Sequence, residues 1–178
     1  MAAGKGFPNT IVSIDAVTRR IEQGLLFTGI ANDPAVAAAG VLSLLVRTPP
    51  KPLSPMIFEY IFGGAATISL FEDVTVSADG TPVDAVNHRR LTPILSAETL
   101  LFQNPTVTDT GTPLIPAISL PGGSSGKNTA GGSDETLFWV LREGTDYLVQ
   151  LTNNSTQDES MSIVVNFVEL LGPLSSGT

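Results

Sequence analysis

Between Thr136 and Leu170 the apolar side chains recur at every second position. Leu137, Trp139 and Leu141 fall on one side of this alternation, with Phe138, Val140 and Arg142 on the other. A short break at Arg142-Glu143-Gly144-Thr145 follows, and then Tyr147, Val149 and Leu151 alternate again. After the polar run Asn153 to Glu159 come Met161, Ile163, Val165 and Phe167, again two apart. A helix repeats its faces every 3.6 residues, whereas successive side chains of a strand point to opposite faces. The stretch therefore predicts strand, tight turn, strand, polar loop, strand, each with one face on a core. Nothing in it has the character of a catalytic centre.

The rest of the chain continues in short segments. Its 178 residues suit one domain with a real core, and 42% hydrophobic against 15% charged residues argues against global disorder. The 17 glycines and 13 prolines interrupt the apolar runs too often for long helices. Leu25–Ile30 predicts a first strand, Asp33–Gly40 a loop around Pro34, and Val41–Val46 a buried strand ended by Thr48-Pro49-Pro50-Lys51-Pro52. Met56–Phe62 and Ala66–Phe71 follow on either side of Gly63-Gly64, then Val74–Val76 and the turn Ala78-Asp79-Gly80-Thr81-Pro82. Val83–Arg90 is short and polar. Thr99–Phe102, Thr106–Thr108 and Leu114–Leu120 read as further strands, and Pro121–Ser133 as a Gly/Ser-rich loop. Ile11, Ile14, Val17 and Ile21 are spaced for a short helical turn. The expected fold is all-β, an antiparallel sandwich, with an irregular N-terminal arm over residues 1–24 and the sandwich over 25–178.

Composition narrows the function. A net charge of −8 argues against nucleic acid as a partner, since phosphate contacts require clustered Lys and Arg. No run approaches the roughly 18 apolar residues of a membrane span. The start Met-Ala-Ala-Gly-Lys-Gly-Phe-Pro lacks the apolar centre of a secretory signal, so a cytoplasmic site of synthesis is expected. Cysteine is absent, which removes disulfides, thiolate catalysis and Cys-ligated metal. The charge is uneven: residues 1–51 carry five basic and three acidic side chains, the remainder four basic and fourteen acidic. The two parts are expected to face different surroundings.

Isolated motifs do not build an active site. Asp109-Thr110-Gly111 has the letters of the aspartic-protease turn, but Thr108 stands where an apolar residue is required, and a turn between strands explains the triplet. Gly126-Lys127-Asn128 lacks both the earlier Gly, replaced by Pro121, and the Ser or Thr after Lys that a phosphate loop needs. His88 is the single histidine and cannot form a His-based metal site alone. Beside it Arg89-Arg90 can grip an acidic neighbour bidentately. With Arg19 and Arg20, these form the candidate interface residues. Trp139, within an alternating strand, is expected in the core. Asn153-Asn154-Ser155-Thr156 holds overlapping glycosylation sequons, expected to be incidental.

The order of features after Phe58 resembles that of the jelly-roll-like head decoration, or cement, proteins of tailed phages. The matching pieces are Thr67-Ile68-Ser69-Leu70-Phe71-Glu72-Asp73-Val74, Gly80-Thr81-Pro82-Val83, Val86-Asn87-His88-Arg89-Arg90 and Pro105-Thr106-Val107-Thr108-Asp109-Thr110-Gly111-Thr112. Leu141-Arg142-Glu143-Gly144-Thr145-Asp146-Tyr147-Leu148, Leu151-Thr152-Asn153-Asn154-Ser155 and Asn166-Phe167-Val168-Glu169 complete the set, about two-thirds of the chain. The resemblance implies a structural virion protein without catalytic residues, cofactor or metal. It would sit on the capsid surface, assembled in the host cytoplasm, and bridge major capsid subunits as a homo-oligomer, dimer or trimer. No nucleic acid or membrane contact is expected, and the N-terminal arm would extend over a neighbour. The alternatives are a tail or head-fibre component, or a carbohydrate- or receptor-binding sandwich, which would need exposed aromatic side chains.

Overall fold

A computed structural model describes residues 16–51, 53–120 and 138–169. Among them a single short helix, α1 (Ala16–Glu22), precedes a series of strands. These are β1 (Leu26–Val36), β2 (Val41–Arg47), β3 (Leu53–Phe62), β4 (Ala66–Glu72), β5 (Thr75–Ala78), β6 (Thr81–Val83) and β7 (Val86–Asn87). They continue with β8 (Leu100–Gln103), β9 (Thr106–Asp109), β10 (Thr112–Leu120), β11 (Phe138–Trp139), β12 (Asp146–Asn153) and β13 (Glu159–Glu169).

The pairing follows one rule. β1 pairs with β13, β2 with β12, β3 with β11, β4 with β10, β5 with β9 and β6 with β8, all antiparallel. The chain is thus a doubled ribbon whose two halves run alongside each other from the ends towards the middle. Folded over itself, the ribbon gives a first sheet in the order β11-β3-β13-β1-β7 and a second in the order β10-β4-β12-β2-β8-β6, with β5-β9 a separate pair. That winding is a jelly roll, the form of sandwich that the resemblance implies. The tip of the ribbon, β7, returns to pair with β1 at Phe27↔Asn87 and Thr28↔Val86. It covers part of an edge that would otherwise offer free backbone groups.

The core lies between the sheets and is filled by the alternation read in the sequence. On β13, Met161, Ile163, Val165 and Phe167 are at most 1% exposed. They face Leu42, Leu44, Val46, Tyr147, Val149 and Leu151 of the second sheet, all in one cluster. Phe167 stacks on Phe27 with ring centroids 5.5 Å apart, a pairing worth about 0.5–1.5 kcal/mol beyond the area it buries.

Three expectations need adjusting. β1 does not end at Ile30 but runs through the expected loop to Val36, and its register with β13 shifts between Asp33 and Val36. Pro34 has no N–H to give, and an irregularity at that point lets the strand continue past it. Of the strand expected over Leu137–Leu141, the described residues 138–141 pair only at Phe138–Trp139. Val140 is 70% exposed while Leu141 turns into the core. The short polar stretch 83–90 contributes the two-residue β7. The helical spacing over Ile11–Ile21 emerges as α1, with residues 11–15 outside the described residues, as are the loop 121–133 and Gly126-Lys127-Asn128. α1 touches the start of β1.

Candidate interaction surface

Three of the seven basic residues in the described part are spent on internal ion pairs. Arg47, at the end of β2, binds Asp146 of its partner strand and Asp79 of the β5–β6 turn at 2.9 and 3.0 Å. It also lies over the Phe102 ring, 5.5 Å from its centroid. Hydrogen bonds from Arg47 hold the Asp79 carboxyl below its usual range. Arg142 grips Glu72 and Asp73, and Tyr147 donates to the same Glu72 carboxylate at 2.8 Å. Lys51 pairs with Glu98. Such geometry fixes turns that connect different pairs of strands, and it leaves these cations little freedom to recruit anything else.

The remaining four are the arginines singled out in the sequence. Among the described residues, no carboxylate lies within ion-pair distance of Arg19, Arg20, Arg89 or Arg90. The structure brings their two segments together at one end of the sandwich. The buried Asn87 side chain donates to the carbonyl of Gly24, just after α1, at 2.8 Å, and to that of Leu95 at 3.0 Å. Arg19 and Arg90 are exposed and Arg20 is half-buried. Arg89 is used locally: its guanidinium donates to the Pro93 carbonyl at 3.1 Å and its N–H to Asn87 Oδ1 at 2.8 Å. It shapes its own loop rather than reaching outward.

That loop, residues 88–99, is pinned from below. Glu169, only 5% exposed, accepts the backbone N–H of Glu98 at 2.9 Å and of Thr99 at 2.6 Å, so a buried carboxylate is solvated by amides. A loop held in this way presents Leu91 at 69%, Ile94 at 47% and Leu95 at 39% exposure, next to Leu100 on β8 at 49%. A groove of about 460 Å³ runs between these residues and the β6–β7 segment, with Val86, Ile94, Leu95 and Leu100 in its lining and Arg90 beside them. Single exposed aliphatic residues are ordinary, but several around one groove mark a contact surface.

A second feature crosses the outer face of the first sheet. Thr28 on β1 donates to Asn166 Oδ1 on β13, and Asn166 Nδ2 donates to Glu59 on β3 at 3.3 Å. Because the Thr28 proton is committed, its oxygen accepts from His88 Nε2 at 2.6 Å. His88 therefore carries its proton on Nε2 in this arrangement, and a directed row of hydrogen bonds runs from the β7 edge to β3. His88 is exposed. Beside the row is an open recess of about 660 Å³ lined by Thr28, Ile30, Val83, Asp84, Val86 and His88, among others.

The other motifs resolve locally. Asp109 Oδ1 accepts the Gly111 N–H at 3.0 Å, a turn closed by its own side chain. Gly111 has φ +67°, and a Cβ there would lie 2.2 Å from the Glu72 carbonyl oxygen, so glycine is required by backbone geometry. Trp139 is half-buried against the core, and the exposed large hydrophobic residues among those described are all aliphatic. Asn153 is fully buried. Its amide donates to Val36 O at 2.9 Å and Gln157 O at 2.8 Å, so the first sequon points inward in the folded protein. Among the described residues no group of three or more His, Asp or Glu could hold a metal ion.

Neither the groove nor the Thr28–Asn166–Glu59 row was anticipated from the sequence. One signal was available: Ile30, Ile61, Val164 and Val168 are apolar at the outward positions of their strands, where a solvated face should be polar. Comparison with known proteins adds no name to this geometry, since no protein-family model and no curated protein matches the chain.

Proposed function

We propose that this chain is a structural virion protein of a tailed phage, a jelly-roll decoration protein that binds the outer surface of the capsid and bridges major capsid subunits. It acts by contact and without a chemical step. The reading is carried by the groove at the α1–β7 end: an aliphatic surface built on a loop that Glu169 and Asn87 hold in place, with Arg90, which has no carboxylate within ion-pair distance among the described residues, in its lining. An apolar centre with arginine at its margin is the composition of protein–protein interfaces. The phage resemblance of the sequence supplies the kind of partner, and the doubled-ribbon fold is compatible with it.

A glycan-binding role gains no comparable support, because such sites stack sugars on exposed aromatic rings and the exposed large hydrophobic side chains among the described residues are aliphatic. Co-sedimentation with purified empty shells is the direct test. The expected result is saturable binding, abolished by deleting residues 1–24 and weakened at least tenfold when Leu95 and Leu100 are both replaced by Asp. Failure to bind any shell would remove the reading. Binding to purified tails but not to shells would replace it with a tail role.

A further inference from the structure

The groove at the α1–β7 end lies where the doubled ribbon comes apart. Its two halves are bonded as β6 and β8 as far as Val83↔Leu101. The next link among the described residues is the Asn87 side chain, whose amide donates to the Leu95 carbonyl at 3.0 Å. Between these links Asp84, Ala85 and Val86 line one wall, and Ser96, Ala97 and Leu100 the other. Residues 84–85 and 96–97 make no backbone hydrogen bond among the described residues, although Ala85 and Ala97 are half-buried. Thr99 also lines the groove. It is 3% exposed, and its hydroxyl has no partner. Buried polar groups in folded proteins nearly always have one, so this hydroxyl marks a place that something else completes.

Charge stands at the two ends of this aliphatic lining. Val86 pairs with Thr28 and the His88 N–H donates to the Leu26 carbonyl, which fixes the direction of the segment along β1. Asp84 therefore lies at the β6 end and Arg90 towards α1. They are six residues apart in the chain, and so within roughly 20 Å of each other. Both are exposed, and neither has an ion-pair partner among the described residues.

We infer that the groove takes an extended segment of the partner protein. The segment carries aliphatic residues at its centre, a carboxylate at one end to meet Arg90 and a basic residue at the other to meet Asp84. This rests on the reading of the groove as the contact surface and adds what that surface recognises. Extended peptides are held by main-chain hydrogen bonds to unpaired backbone, with pockets that select their side chains. The backbone at Ala85 and Ala97 offers the first, and the aliphatic lining offers the second. A volume of about 460 Å³ is in the range of small-ligand sites, so it admits a few side chains and no folded element. A fatty acid would answer Arg90 and the lining, but not Asp84 or the open backbone.

Fluorescence anisotropy of labelled, end-blocked heptapeptide pools on the full chain tests it. Each pool has Asp or Lys at its first and last positions and mixed Leu, Val, Ala and Ser between. A pool with opposite end charges should bind about tenfold tighter than the Asp–Asp and Lys–Lys pools. Arg90→Glu should transfer the preference to the Lys–Lys pool, and Asp84→Lys to the Asp–Asp pool. Thr99→Val should weaken the favoured pool about threefold without lowering the melting temperature, since the hydroxyl has no partner inside the chain. Arg90 and Asp84 are exposed, and unchanged melting of their variants verifies folding. Pools that bind alike, or variants that keep the wild-type preference, would overturn the inference. So would decanoate competing as strongly as the favoured peptides. No shell takes part in this measurement. Saturable shell binding with unselective peptides would sink this inference alone, and selective peptides with no shell bound would sink the decoration role alone.

Discussion

The Glu169 carboxylate, at the end of β13, accepts the backbone N–H of Thr99 at 2.6 Å, across 70 residues of sequence. The same carboxylate takes the Glu98 N–H, while the Glu169 N–H donates to the Leu25 carbonyl. One residue thus fastens the 88–99 loop to the closing strand and to the start of β1. Removing the carboxylate strands two amides at a buried place, so Glu169→Ala should cost about 3 kcal/mol in urea unfolding. Glu169→Gln keeps one acceptor oxygen and should cost about 1 kcal/mol. Amide exchange at Thr99 should accelerate in step. An alanine variant with the wild-type urea midpoint would show that the loop is held by something else.

Gly29 and Leu101 share a single space between the sheets. A Cβ added at Gly29 would lie 2.1 Å from Leu101 Cδ1, and Leu101 is 2% exposed. Gly29→Ala should destabilise by about 1–3 kcal/mol through overpacking. Leu101→Ala alone should cost about 2–5 kcal/mol through the cavity it leaves. Together they should cost at least about 1 kcal/mol less than the sum, since the new methyl occupies part of the cavity. Strict additivity in that double-mutant cycle would contradict the packing described.

How far the sequence could be read depends on the range of the interaction concerned. β12 and β13 were legible because Tyr147, Val149, Leu151 and then Met161 to Phe167 alternate without interruption. The sandwich class followed from strand number and spacing, whereas its jelly-roll winding was implied only by the resemblance. The extension of β1 through Pro34 was hidden, because local chemistry there favours a turn and only pairing with β13 overrides it. Of the candidate arginines, Arg89 could not be told from Arg90 by type or position. What separates them is the Pro93 carbonyl, reached only once the loop has folded. The Thr28–Asn166–Glu59 row joins residues up to 138 apart, and no motif records such a separation.

Asn153 offers a sharp contrast with its neighbour. Its buried side chain joins the β1–β2 corner, at Val36, to the β12–β13 loop, at Gln157 and through the Ser155 N–H. Asn154 is exposed and makes one side-chain contact, to Thr67. Asn153→Ala should lower stability by about 3 kcal/mol, as several buried polar groups lose their partner at once. Asn153→Asp should do no better, since a carboxylate would face carbonyl oxygens where an amide donated. Asn154→Ala should stay within about 0.5 kcal/mol of wild type. Thermal melts of the three variants distinguish these outcomes, and equal effects at both positions would refute the assignment.

The two tyrosines should govern stability at alkaline pH. Burial raises Tyr60 above the usual tyrosine value of 10.0. Tyr147 is also raised, first by burial and then by its bond to Glu72, with Arg142 acting in the opposite direction. A group whose folded pKa exceeds its unfolded one keeps its full contribution below the unfolded value. That contribution falls away as the pH climbs past 10.0 towards the folded value, because the unfolded chain releases its proton first. The urea midpoint should therefore decline above pH 10.0, and Tyr60→Phe, which has no proton to lose, should flatten the decline. On the acid side, Arg47 holds the Asp79 carboxyl down, so its contribution is present above 3.8 and is lost as the pH falls below it. Arg47→Met should return Asp79 to ordinary titration by NMR. A Tyr60→Phe variant with an unaltered alkaline slope would show that the phenol is not the group titrating.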